Sequence, residues 1–151
     1  MISGASVSDS NAVYVFVYGT LRRGDSNDIN KLKPAPVWLG YGTVRGSLYD
    51  FGDYPGIVLP DEASAVDESS QQVLGEVYRA SPALLPVLDE IEMLYPDVPH
   101  LYRQVWRTIA CGAAHYNCLL YELTDAGKSA RGRITAAPGA LLDWASFRLQ
   151  R

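Results

Sequence analysis

Residues 13–24 read VYVFVYGTLRRG, in which six consecutive β-branched or aromatic residues, Val13 to Tyr18, run without a polar interruption into Gly19. An apolar run of that length and composition suits a strand buried on both faces, so the rest of the chain has to supply cover on two sides. Gly19 ends the run. A glycine here permits positive φ and lets a ligand reach main-chain N–H groups with no Cβ in the way, so Gly19, Thr20 and Leu21 can form an anion- or oxyanion-binding nest. The plainer reading is a surface turn with Arg22 and Arg23 solvated.

Downstream, Val37 to Asp50 reads as extended chain interrupted by Gly40, Gly42 and Gly46, the pattern of bulges or sharp bends in a small, strongly coiled sheet. Gly52, Pro55 and Gly56 form a turn feeding a short strand at Ile57 to Leu59. Gln72 to Arg79 is a strand with Glu76 and Tyr78 on one face. A carboxylate there needs a partner, whether it lines a pocket or braces the structure. Ser81-Pro82 is a helix start, capping serine then proline. Leu84, Leu85, Leu88 and Ile91 continue at helical spacing to Glu92, with Pro86 tolerable only in the first turn. Asp89 and Glu92 fall on neighbouring positions of one helix side. Strands at Leu101 to Ala110 and His115 to Glu122 flank the turn Cys111–Ala114, and Ala140 to Leu149 docks a short segment through Leu141, Leu142 and Trp144. Asn30 caps a turn toward Leu32. Residues 61–72 and 93–100 are loops, and 124–133 is polar. Residues 1–12 are a flexible tail, and 13–151 form a single domain.

With 151 residues, 48% of them hydrophobic, the chain is one globular domain's worth of sequence. No apolar run approaches the ~20 residues that cross a bilayer, and the first residues lack the basic start and apolar core of a signal peptide. A cytoplasmic protein without a membrane partner is expected. The net charge of −4 argues against a nucleic-acid partner. Cys111 and Cys118 show no metal-binding or disulfide spacing and are expected to pack as small apolar groups, while His100 and His115 are too isolated for a metal cluster.

Tyr18-Gly19-Thr20-Leu21, followed by Arg22-Arg23-Gly24, resembles the YGTL/YGSL signature of the γ-glutamylcyclotransferase-like (AIG2-like) family, especially its γ-glutamylamine cyclotransferase branch. Gly46-Ser47-Leu48-Tyr49-Asp50, Tyr54-Pro55-Gly56, Gly75-Glu76-Val77-Tyr78 and Leu88-Asp89-Glu90-Ile91-Glu92 are similar to later motifs of that family in the same order. The resemblance implies an α+β fold: a small mixed β-barrel of about six strands with few helices. It also implies a reaction in which the α-amino group of a small γ-glutamyl substrate attacks its own γ-carbonyl, giving 5-oxoproline and a free amine or amino acid. That chemistry requires no metal or organic cofactor.

By the same resemblance Glu92 is the proton-shuttling carboxylate. The main-chain groups of Tyr18, Gly19, Thr20 and Leu21 hold the γ-glutamyl head, with Tyr121, and more weakly Tyr102, as contacts. Glu90 points away and Asp89 bonds locally. Arg22 and Arg23 are offered to the substrate carboxylate but favoured as surface residues. The chain departs from the family in having Met93 where glycine usually follows the glutamate, and a longer connection to Tyr102-Arg103, which bears on the leaving group accepted. Two rivals stand beside this reading: a non-catalytic protein holding a small ligand in the same pocket, and a pathway-specific enzyme that removes a γ-glutamyl protecting group. The oligomeric state is not readable from the sequence.

Overall fold

The computed structural model describes residues 12–52, 54–60, 71–92, 102–124, 134 and 141–149. The readings for residues 1–11, 61–70, 93–100 and 125–133 fall outside that set. Seven strands form one sheet: β1 (Val13–Val17), β2 (Val37–Asp50), β3 (Pro55–Val58), β4 (Gln71–Ala80), β5 (Tyr102–Cys111), β6 (Ala114–Leu123) and β7 (Leu141–Leu142). Strands β2, β5, β6, β1 and β4 are joined in that order, and β4 pairs back to β2, closing a five-stranded barrel. β1 runs parallel to β6 and antiparallel to β4, so the barrel is mixed. β3 adds to β2 and touches β6, and β7 adds to β4. Among the described residues the α-helices are α1 (Leu85–Glu92) and α2 (Trp144–Leu149). The mixed barrel expected from the resemblance is what forms.

β1 is covered on both sides, as its apolar run requires. Alternation along the strand sends Phe16 into a cluster with Leu48, Val77, Leu120 and Trp144, while Val15 and Val17 join Ile29, Tyr78, Leu84, Leu88 and Tyr121 on the other face. Such contact leaves no room for a side chain at Gly75, where a Cβ would sit 2.4 Å from the Phe16 ring and 2.5 Å from the Val17 carbonyl.

The long β2 stays one strand by bulging between Trp38 and Gly40. β5 and β6 are a hairpin turned by Gly112 at φ +62°. α2 carries fully buried Trp144 into the first cluster.

Two local readings are corrected. The segment after Ser81 is not one α-helix from Pro82. A 3-10 turn at Pro82–Leu84 comes first, with the Ser81 hydroxyl accepting from the Ala83 N–H. In that turn the Leu85 N–H bonds the Pro82 carbonyl, which satisfies the acceptor that Pro86, lacking an N–H, cannot reach. The second correction concerns the turn at Ile29–Lys31, which is capped by Asp28 rather than Asn30; the Asp28 carboxylate accepts the Asn30 N–H.

Candidate active site

The loop after β1 is held from behind by buried polar groups. Glu76, 3% exposed on β4, accepts at Oε2 from Arg22 Nε (3.1 Å) and at Oε1 from the Arg23 N–H (2.9 Å) and the Tyr78 hydroxyl (2.8 Å). The Tyr78 hydroxyl in turn accepts from Asn30 Nδ2 (3.0 Å). Asn30 also donates to Asp28, which receives the Gly24 N–H as well. At the other end, Arg22 Nη1 reaches Asp143, at the start of α2, at 2.5 Å.

In this network Arg22 is ion-paired with both Glu76 and Asp143, and the Asp28 carboxylate is satisfied by neutral N–H donors, as burial demands. Burial alone would lower the Arg22 pKa, but Asp143 and Glu76 hold it above its ordinary value. Burial would raise that of Asp143, yet its bonds to Arg22 hold it low. Burial together with the Glu76 charge pushes the Tyr78 hydroxyl well above ordinary tyrosine. Arg22 is therefore a buried brace, correcting the surface role expected of it. Arg23 is exposed, its guanidinium 4.5 Å above the Trp38 ring. Glu76 supports the loop, which decides between the two roles open to it.

Held this way, the loop turns its carbonyls inward. Gly19 O accepts from the Arg22 N–H (3.0 Å), Thr20 O from Asn27 (2.9 Å) and Leu21 O from Ile29 (2.9 Å). In a planar trans peptide the N–H points opposite the carbonyl, so the N–H groups of Thr20 and Leu21 point away from the loop interior. Gly19 is required for space rather than for positive φ. It is not among the positive-φ glycines, and a Cβ there would lie 2.7 Å from Pro55 Cδ and Cγ.

The loop forms one wall of a narrow cleft lined by residues 16–21 together with Pro55, Tyr102 and Tyr121. Its enclosed space is about 20 Å³, enough for one water or a carbonyl group. The structure thus brings Tyr18, Gly19, Thr20, Leu21 and Tyr121 to one place. The Tyr18 ring belongs to the scaffold: its hydroxyl donates to the Tyr121 carbonyl (2.7 Å) and accepts the Ile57 N–H (3.0 Å). Thr20 Oγ1 accepts from Asn27 Nδ2 at 3.1 Å. Tyr102 donates to the Pro55 carbonyl at 2.5 Å, fixing the facing wall.

Tyr121 donates its hydroxyl to Asp89 Oδ1 at 2.5 Å, and Gln104 Nε2 bonds the same oxygen. Asp89 therefore ties α1 to the β5–β6 hairpin instead of bonding locally, a correction to its sequence reading. Glu92 is the last residue of α1, one turn beyond Asp89. Arg103 pairs with Glu122 (3.1 Å), a buried carboxylate that also accepts the Leu59 N–H. Among the described residues no group of three or more His, Cys, Asp or Glu side chains is placed to hold a metal ion. The cleft, walled by the loop on one side and by Pro55, Tyr102 and Tyr121 on the other, has room for a single carbonyl-sized group.

Sequence reasoning missed Asp143, Asp28 and Asn30 as supports of this loop. The pattern Asp28-x-Asn30 before Leu32 was the one local signal available.

The family model described as "Gamma-glutamyl cyclotransferase, AIG2-like" matches residues 15–143. A Vibrio cholerae protein named as a candidate gamma-glutamylcyclotransferase is 38% identical over 98 residues, which is 60% of this chain and 67% of that protein. The gamma-L-glutamyl-butirosin B gamma-glutamyl cyclotransferase of Niallia circulans is 38% identical over 79 residues, covering 52% of this chain and 44% of its own length. Among solved structures, an AIG2-like protein of Mus musculus superposes with a TM-score of 0.58 at 21% identity, covering 77% of this chain and 79% of its own. YkqA of Bacillus subtilis gives 0.63 at 21%, covering 92% of this chain and 42% of its own. Those two likenesses show the fold. The match over residues 15–143 spans both the braced loop and α1, and on it the chain belongs to the γ-glutamyl cyclotransferase, AIG2-like family.

Proposed function

We propose that this protein converts a γ-glutamyl amine or γ-glutamyl amino acid into 5-oxoproline and the free amine, by proton transfer through Glu92. The observation that carries the reading is the cleft: the loop Tyr18–Leu21, braced by Arg22 and Glu76, faces Tyr121, and Asp89 ties that tyrosine to the helix ending in Glu92.

In the reaction the α-amino nitrogen of the substrate attacks the γ-carbonyl carbon. A new C–N bond closes the five-membered ring, and the bond to the leaving nitrogen breaks. The attacking nitrogen gives up two protons in turn, one before attack and one as it becomes the ring amide; the Glu92 carboxylate takes each and returns it to the leaving nitrogen, which departs as an ammonium, so charge and atoms balance without a co-reactant. The oxyanion that forms on the γ-oxygen is held by the N–H groups of Thr20 and Leu21. Because nucleophile and electrophile share one molecule, folding the substrate into an attack conformer supplies much of the acceleration.

The γ-glutamylamine branch is the proposed subtype. A second reading, removal of a γ-glutamyl protecting group in one biosynthetic route, is supported by the name of the Niallia circulans relative. Both share one mechanism and differ in the leaving amine. Mass spectrometry of 5-oxoproline release from γ-glutamyl alkylamines, γ-glutamyl-ε-lysine, γ-glutamyl dipeptides, glutathione and a γ-glutamylated aminoglycoside separates them. Release from the alkylamines and the lysine isopeptide supports the first subtype, and release from the aminoglycoside alone supports the second. No release from any member would leave the cleft as a binding site and overturn the proposal.

A further inference from the structure

We propose that the outer face of the barrel, where β2 and β5 meet, is a binding site for a phosphate-class oxyanion, separate from the cleft. β2 and β5 close the barrel through a single residue pair, Thr43 with Ala110. Beside that seam lies an open groove of about 440 Å³ whose lining includes Thr43, Arg45, Gln72, Arg107, Thr108 and His115.

The sheet register puts most of these on one face. Arg45 pairs with Gln72, and Ala110 with both Thr43 and His115, while Thr108 and Arg45 stand two residues from the Thr43–Ala110 pair. The lining contains two guanidiniums, one imidazole, two hydroxyls and one amide, and no carboxylate among the described residues.

Arg45 lines the groove half-buried. Its Nε is shielded from water and has no hydrogen-bond partner, and among the described residues no carboxylate pairs with its guanidinium. The contrast with Arg22 and Arg103, both ion-paired, is direct. That buried nitrogen is as closed to a ligand as to water, but a groove-lining guanidinium with no carboxylate beside it among the described residues keeps its charge unanswered, and its fork matches the oxygens of an oxyanion. Donors from four strands suit a tetrahedral group with several oxygens better than a planar carboxylate.

The site is remote from the chemistry. Tyr102 and Thr108 stand six positions apart on β5, as do His115 and Tyr121 on β6, which at ~3.3 Å per residue places groove and cleft ~20 Å apart along both strands. The proposal therefore stands whether or not the cyclotransferase reading does.

The test is an NMR titration of the full chain with inorganic phosphate, a sugar phosphate and acetate at fixed ionic strength. Saturable shifts at the amides of Thr43, Gln72 and Thr108 are expected for the phosphates, with Arg45→Gln weakening binding at least tenfold. Tighter binding of the sugar phosphate assigns the ligand to a phosphorylated metabolite, and the reverse order assigns it to free phosphate. If Arg45→Gln does not fold, the exposed pair Thr108→Ala and His115→Ala must weaken binding instead. Acetate binding as tightly as phosphate, shifts that never saturate, or variants that bind like wild type would each overturn the proposal.

Discussion

Replacing Glu76 by glutamine keeps the shape of the side chain and removes its charge where the cleft loop is braced. Glu76 is 3% exposed and accepts three hydrogen bonds, two at Oε1 and one at Oε2. A glutamine oxygen placed at the Oε1 position keeps the bonds from Arg23 N–H and the Tyr78 hydroxyl. Its NH₂ then confronts Arg22 Nε, donor against donor, and leaves that side of the guanidinium unpaired.

Breaking a buried pair by removing one partner costs about 3–5 kcal/mol. Two of three bonds survive here, and Asp143 still holds Arg22, so the lower end applies, about 3 kcal/mol. With a urea slope of about 2 kcal/mol/M, the midpoint falls by about 1.5 M. Arg22→Met, which strands the Glu76 charge, should cost as much or more. The double variant Arg22→Met/Glu76→Gln removes both charges, and its loss should fall short of the sum of the singles by about 2 kcal/mol. Urea unfolding followed by circular dichroism gives all four values. A Glu76→Gln loss under about 1 kcal/mol, or singles that add to within about 0.5 kcal/mol, would refute the reasoning that this network is a coupled brace.

Gly19→Ala drives a methyl group into the Pro55 ring, 2.7 Å away, and overpacking of that kind costs about 1–3 kcal/mol, a fall in Tm of about 2–12 °C for a chain of this size. A Tm within 1 °C of wild type would contradict it. Both cysteines are buried, and burial pushes the Cys118 thiol up to about 12 and raises that of Cys111, so native protein at pH 8 should resist Ellman's reagent and react at both sites in urea. Rapid labelling of the folded chain would be the opposite result. For Asp143 burial alone would raise the pKa, but Arg22 holds the folded value below the ordinary one; its contribution to stability is present above the unfolded value of ~3.9 and is lost as pH falls through the folded value. Asp143→Asn should therefore flatten the acid limb of the stability curve below about pH 4, and an unchanged limb in urea titrations would speak against the Arg22 pairing.

Much of the barrel was legible because its signals are local. β1 declares itself by an unbroken β-branched and aromatic run, and the β5–β6 hairpin by apolar strands around Gly112. The cleft was legible only through resemblance, since nothing in the spacing of Tyr18, Pro55, Tyr102 and Tyr121 brings them together without the barrel's closure. Arg22 was misread because its partners lie 54 and 121 residues away, and a basic pair in a turn looks solvated until both carboxylates arrive. Asp89 was misread for the same reason: its partners, Gln104 and Tyr121, belong to a hairpin 15 and 32 residues downstream. Gly19 was recognised as necessary for the wrong cause, because a proline ring packed against its α-carbon is a tertiary fact. At Pro86 the sequence posed the right problem, and the 3-10 turn is the backbone's answer to it.

The proposed mechanism has Glu92 move the proton while the Tyr18–Leu21 loop holds the substrate. The measurement that tests it most directly is single-turnover formation of 5-oxoproline from a γ-glutamyl amine by wild type and Glu92→Gln, with substrate binding measured by calorimetry on both. The account predicts that Glu92→Gln binds substrate within a few-fold of wild type and forms 5-oxoproline slower by about 10²-fold or more. A Glu92→Gln protein that turns over at the wild-type rate would contradict it and move the proton transfer to another group.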